Sequence, residues 1–238
     1  MRTTDRDELE TLSRELAERT GGNWRTVWRS RLWHFTVWSA YAVKRVIDIV
    51  VAGTAVLLLS PVFLVTYLAI RLTSRGPAFF SQTRVGRDGR HFDFYKFRSM
   101  YVDAEQRKDA LLAQNESTGG VIFKMKNDPR ITPVGRFIRK FSIDELPQLW
   151  NVLKGDMTLV GPRPPVPREV ALYSLEERKR LNVIPGITCL WQVSGRSDIP
   201  FQEQVRLDKE YIRTHGVWND FKILLRTIPA IISGKGAY

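Results

Sequence analysis

Leu57-Leu58-Leu59-Ser60-Pro61-Val62-Phe63 sits in the middle of an uncharged run from Ile49 to Ile70, and the reading of that run decides the fold. At the helical rise the run makes roughly 33 Å, enough to cross a bilayer core as one straight helix. Pro61 argues against straightness. It brings no N–H to the ladder and its ring meets the carbonyl of Leu57, which predicts a bend near the midpoint with the Ser60 hydroxyl free to satisfy a backbone group. Lys44 and Arg45 precede the run, while Arg71, Arg75, Arg84, Arg87 and Arg90 follow it. Positive charge on both sides resists transfer of either end, so Val46 to Ile70 is expected to dip into the membrane and return. A proline-kinked single-pass anchor is the alternative that hydropathy leaves open. Asp48, just inside the segment that begins at Val46, is costly in lipid and is expected to pair with Lys44 or Arg45 at the interface.

Working outward, the chain has 238 residues, 43% of them hydrophobic, enough for one full core beside a membrane segment. A formal charge of +12 calls for an anionic partner: nucleic acid, anionic lipid or a phosphorylated substrate. Beside a membrane segment, membrane lipids and phosphates are favoured. Cys189 is the single cysteine, which excludes an intramolecular disulfide and a cysteine-rich zinc site. The charged start and the late apolar run do not read as a secretory signal peptide.

Before the run, Thr4 to Thr20 reads as a short polar helix with Leu9, Leu12 and Leu16 on one stripe, and Asn23 to Tyr41 as a Trp/Arg-rich interfacial segment. After it, two aromatic-rich stretches flank Gly86-Arg87-Asp88-Gly89 and predict a β-hairpin turned at the Asp-Gly step. Helices are expected over Asp103–Asn115, Val134–Lys140, Leu146 to Gly155, Glu169–Leu181, Gln202–Arg213 and Trp218–Ile232, the last broken at Pro229, with Ile187–Val193 extended. Gly161-Pro162-Arg163-Pro164-Pro165 must be irregular and stiff. The expected division is an N-terminal extension over 1–42, a helix-break-helix over 43–75 and a catalytic domain over 76–238. The fold class is α+β, mainly helical, with a small hairpin, a re-entrant membrane helix and amphipathic interfacial helices.

Ser142-x-x-Glu145 has the form of a capping box, with Phe141 and Leu146 as a hydrophobic staple. That alone accounts for both acids. The same geometry suits chemistry, because successive helical positions point about 100° apart, so one carboxylate can attack while the other holds a metal. Arg163, fixed between prolines, is either a preorganised phosphate clamp or a rigid surface turn. Arg139 is a second clamp or an ion-pair partner. Lys96 and Arg98, two apart on a strand, share a face and could bind phosphate or headgroups. Neither a P-loop nor a Gly-x-Gly-x-x-Gly is present.

Lys44-Arg45-x-x-Asp48, Ser60-Pro61, Lys96-Phe97-Arg98-Ser99-Met100, Arg139 through Ser142-Ile143-Asp144-Glu145-Leu146-Pro147-Gln148, Gly155-Asp156-Met157, Gly161-Pro162-Arg163-Pro164 and Pro185-Gly186-Ile187-Thr188 occur in one order. That order resembles the bacterial sugar transferases, the monotopic polyprenol-phosphate phosphoglycosyl transferases, over about residues 43 to 238. Trp191 to Arg196 and the ending Gly236-Ala237-Tyr238 look like the exopolysaccharide-initiating branch. Cys189 stands where many members have glycine. The resemblance implies transfer of a hexose-1-phosphate from a UDP-sugar to undecaprenyl phosphate at the cytoplasmic face of the bacterial inner membrane, with Asp144 as nucleophile and Glu145 as ligand of Mg²⁺. Arg139, Arg163, Lys96, Arg98 and Arg196 become the phosphate- and substrate-binding set. No nucleic acid is expected as partner, and homo-oligomerisation is left open. The rival classes are a membrane-tethered nucleic-acid binder, with salt-dependent DNA affinity, and a non-catalytic scaffold in which Asp144 is replaceable.

Overall fold

A computed structural model describes residues 24–111, 125, 127–234 and 236, so the Thr4 to Thr20 helix and residues 112–124 lie outside the described residues. The chain divides into two compact units, Met1–Ile47 and Asp48–Tyr238. In the first, from Trp24 onward, the Trp/Arg-rich segment is helical and belongs to α1, Trp24–Leu58. The second holds every other element.

Helix α1 ends at Leu58 and α2, Ser60–Thr73, begins at once with Pro61 in its first turn. The two are bent by 59°. The break is satisfied as the sequence predicted: Ser60 Oγ donates to the Leu57 carbonyl at 2.8 Å. No single helix among the described residues is long and apolar enough to cross a membrane, but the bent pair passes that test together by length and composition.

The hairpin is present. Strands β1, Phe79–Val85, and β2, His91–Phe97, pair antiparallel with Val85 opposite His91, and Asp88 (φ 57°) and Gly89 (φ 77°) make the turn. The segment after β2 then pairs with the approach to α4: Thr132 N donates to Ser99 O and Tyr101 N to Arg130 O. Between them lies α3, Lys108–Leu111, preceded by turns, where the sequence predicted a helix from Asp103. Helix α4, Pro133–Lys140, starts at Thr132, whose hydroxyl accepts from Gly135 N. Gly135 is required here, because a Cβ would collide with the Ser99 carbonyl.

Downstream, α5 (Gln148–Lys154) closes at Gly155 in the left-handed conformation, φ 93°. A feature the sequence did not predict follows: β3, Thr158–Val160, pairs parallel with β4, Gly186–Thr188. Extended structure stops at Thr188 and gives way to turns, so the strand expected to Val193 is shorter. The helix expected over Glu169–Leu181 is broken into α6 (Pro167–Ala171), α7 (Leu175–Arg178) and a 3-10 turn. Ser174 is the cause, since its hydroxyl accepts from Glu177 N while Glu177 accepts from Ser174 N, a capping box that starts a new helix. Helices α8, Phe201–Thr214, and α9, Val217–Ser233, complete the fold. Helix α9 runs through Pro229 where a break was expected.

One core gathers Ala52 of α1, Phe94 of β2, Leu149 and Val152 of α5, Leu159 and Val160 of β3, Tyr211 of α8 and Ile223 of α9. A second joins Ile70 and Phe63 of α2 to Phe97, Ile138, Ile143 and Leu146. Asp48 is buried, and it accepts from Thr158 Oγ1 at 2.6 Å and Leu159 N at 3.2 Å. The sequence predicted neither of these partners in β3. Helix α9 leaves Trp218, Phe221, Leu225, Ile228 and Ile232 exposed on one stripe.

Candidate active site

The acid pair does not open a long helix. Ile143–Glu145 is a single 3-10 turn, and Ser142 before it adopts φ 55° with no side-chain cap. Its hydroxyl accepts instead from Arg196 Nη2 at 2.7 Å, and Arg196 is itself left-handed at φ 54°. The capping-box reading is therefore corrected: Glu145 keeps a backbone bond to Ser142 O, but its carboxylate turns inward. Ile143 and Leu146, packed in the second core, hold the turn from both sides.

Glu145 accepts three hydrogen bonds from two cations. Lys96 Nζ and Arg163 Nη2 donate to its Oε1 at 2.9 and 2.6 Å, and Arg163 Nη1 donates to Oε2 at 3.2 Å. Burial pushes its carboxyl up, but Arg163 and Lys96 outweigh that and hold it well below the usual glutamate range. Asp144 is the opposite case. It is buried, makes no hydrogen bond among the described residues, and its nearest cation is Lys96 Nζ at 3.8 Å. Burial raises its pKa, Lys96 opposes and Glu145 adds to the rise.

Asp144 lines a cleft of about 490 Å³ together with Lys96, Arg98, Arg139 and Arg163. The stiff segment aims Arg163, because Val85 N donates to Pro165 O and Gly186 N to Pro162 O, stitching it between hairpin and β4. Arg139 is half-buried, and its side chain makes no hydrogen bond or ion pair among the described residues. Arg196 reaches the site through Ser142. Arg98 turns away from Lys96, because the strand ends at Phe97 and its Nη2 donates to Ser74 at the end of α2. Ser60 and Pro61 make the helix break, apart from the acids.

Arg84 and the Phe94 ring were missed. Arg84 sits over the Phe94 ring at 5.1 Å, and Lys96 and Arg163 lie over the same ring at 5.4 and 5.9 Å. Burial and the charge of Arg163 lower Arg84 to about 10. Strand alternation held the signal: Phe80, Gln82 and Arg84 share a face with Phe94 and Lys96 across the hairpin register. The far end of the cleft is lined by Tyr173, Arg180, Trp191 and Gln204, with Arg180 paired to Asp208.

The sequence matches the family described as bacterial sugar transferase over residues 39–234. The chain belongs to the bacterial sugar transferase family. Relatives of this sugar transferase include the galactosyl transferase CpsE of Streptococcus agalactiae, 52% identical over 204 residues that make 85% of this chain and 45% of that protein. The undecaprenyl-phosphate galactose phosphotransferase of Salmonella typhimurium is 46% identical over 204 residues, 84% of this chain and 42% of that protein. The exopolysaccharide production protein ExoY of Rhizobium meliloti is 37% identical over 198 residues, 82% and 88% of the two chains. The chain spans under half the length of the first two relatives.

Proposed function

We propose that this sugar transferase moves a hexose-1-phosphate from a UDP-sugar to undecaprenyl phosphate, the first membrane step of exopolysaccharide or other glycoconjugate synthesis. The observation that carries the reading is Asp144: a buried carboxylate lining a basic cleft, held in place by its neighbours yet free of hydrogen bonds of its own. A structural acid is bonded; a nucleophile must be available. The names of the relatives support the same reaction, one of them naming undecaprenyl phosphate with galactose.

In the first step an Asp144 oxygen attacks the β-phosphorus of the UDP-sugar. A new O–P bond forms, the bond from that phosphorus to the bridging oxygen breaks, and UMP leaves with the bridging oxygen. An oxygen of the lipid phosphate then attacks the aspartyl phosphosugar, and Asp144 departs as carboxylate. Arg163, Lys96 and Arg139 face the transferring group, where fixed cations stabilise developing charge. Arg196 acts through Ser142, holding the turn that presents the nucleophile.

The donor set fits Mg²⁺ shared with substrate. Among the described residues no cluster of three or more His, Cys, Asp or Glu could hold a metal by itself, so substrate phosphates must complete the shell, as Mg²⁺ commonly requires. Glu145 would hold it, since its three hydrogen bonds leave one acceptor position on the carboxylate. When bound, the metal supplies Lewis-acid neutralisation of the diphosphate.

The bent pair then serves as a re-entrant anchor at the cytoplasmic face, which would bring Asp144 to headgroup depth. With UDP-sugar and Mg²⁺ but no lipid acceptor, the protein should release UMP in one burst near enzyme stoichiometry and carry a phosphosugar on the Asp144 peptide. Asp144→Asn should fold, stay in the membrane and lose essentially all UMP release. Intact mass without an adduct, and UMP only after undecaprenyl phosphate is added, would replace the covalent route with direct transfer.

A further inference from the structure

Among the described residues three arginines are buried, Arg98, Arg130 and Arg180. Two have their counter-charge beside them: Arg130 is held by both oxygens of Asp128, and Arg180 by Asp208. Arg98 has no carboxylate. Its Nη2 donates to the Ser74 carbonyl at 2.9 Å and hydroxyl at 2.7 Å, while its Nε and Nη1 are buried without a hydrogen-bond partner. The neighbouring charge is another cation, Arg71, and burial together with that charge pushes the Arg98 pKa down. The two guanidinium groups converge on Gly76: Arg71 Nη1 donates to its carbonyl at 2.9 Å, and a Cβ there would collide with Arg98 Nη1. Gly76, at φ +109°, is the residue that makes room.

A buried cation facing a second cation is a costly arrangement. The carbonyl end of α2 offers about half a compensating charge. An arriving anion would complete the balance. The surroundings say which kind: Arg98 lines the same cleft as Asp144, beside Phe79, Phe80, Tyr101 and Val102, all exposed, and Phe79 packs on Tyr67 of α2 with centroids 6.2 Å apart. A phosphate with an apolar tail matches two buried N–H groups next to an aromatic lip that continues into the bent helix.

We propose that Arg98 and Arg71 form an anion subsite for the phosphate monoester of an isoprenoid lipid, separate from the centre built by Lys96, Arg163 and Asp144. The subsite rests on the reading of Asp144 as the group that passes a phosphosugar to such a lipid. The phosphate sits on the free N–H groups of Arg98, the first isoprene units lie on Phe79, Phe80 and Val102, and the cleft leads from there to Asp144.

The test measures binding of farnesyl phosphate to the full chain in zwitterionic nanodiscs, with farnesol, inorganic phosphate and phosphatidylglycerol measured in parallel. Farnesyl phosphate should bind at least about tenfold more tightly than each of the others, and Arg98→Gln should weaken it about tenfold, the loss of one charge-assisted contact. Arg71→Gln decides the matter. If Arg98 only caps α2, removing a neighbouring like charge relieves it and leaves farnesyl phosphate binding unchanged; if the pair holds the anion, binding weakens here too. In turnover both variants should raise KM for undecaprenyl phosphate more than KM for UDP-sugar. Unchanged binding in a folded Arg71→Gln protein overturns the proposal, as does phosphatidylglycerol or inorganic phosphate binding as tightly as farnesyl phosphate. The binding arm uses no UDP-sugar, so a missing adduct at Asp144 would defeat the covalent reading and leave this result standing.

Discussion

Asp144 and Glu145 are adjacent carboxylates whose environments drive them apart. Burial lifts Asp144 above the ordinary aspartate value, and Arg163 with Lys96 holds Glu145 well below the glutamate value. The signs give an ordered acid response. Glu145, with its folded pKa depressed, contributes stability that is present above its unfolded value and is lost only as pH falls through the depressed one. Asp144, with its folded pKa raised, gains its proton early, and that protonation favours the folded state. As pH falls, the UMP burst should therefore disappear first, at a pH above the ordinary aspartate value of about 4, while the fold persists. Burst amplitude and near-ultraviolet dichroism measured over the same pH series check this. Activity should return on neutralisation, and loss of burst and fold at one common pH would contradict it.

At the scale of elements, the break at Leu59 is the feature on which the membrane reading turns. Pro61 removes a donor and Ser60 satisfies the Leu57 carbonyl, so the 59° bend is built into the local sequence. Pro61→Leu restores the missing N–H and should straighten the pair. Single cysteines at Thr26 and Ser81, placed in a Cys189-free protein, should both be labelled from the cytoplasmic side in the parent. In Pro61→Leu a fraction of molecules should expose the two cysteines on opposite sides. Labelling of the parent from opposite sides would make the pair a spanning anchor.

Across the whole second unit, Asp48 ties α1 to β3. Its carboxylate accepts from Thr158 Oγ1 and Leu159 N, beside a core in which the Tyr211 hydroxyl lies within hydrogen-bonding distance of Val160 O and Asp220 Oδ1. Asp48→Ala leaves a buried hydroxyl and a buried N–H without their acceptor, a cost of about 1–3 kcal/mol for each unsatisfied group. The variant should melt at lower temperature in nanodiscs and lose activity in proportion to the unfolded fraction. A melting temperature equal to that of the parent would mean that the tie contributes nothing.

The sequence by itself determined the features that rest on local chemistry. The bend follows from Ser60-Pro61, the hairpin from Asp88-Gly89, the stiffness around Arg163 from its flanking prolines, and the family from motifs in one order. Local rules also produced the errors. Ser142-x-x-Glu145 satisfies the pattern of a capping box, yet Arg196, 54 residues away, takes the Ser142 hydroxyl, and Lys96 and Arg163 take the Glu145 carboxylate. Arg98 shares a strand periodicity with Lys96, but the end of α2 claims it. The β3–β4 pairing and the partners of Asp48 join segments tens of residues apart, and short strands of three residues carry no periodic signal. Which acid is engaged and which is left free was decided only in three dimensions, because burial and opposing charge reach Asp144 and Glu145 from elements that the chain order keeps far apart.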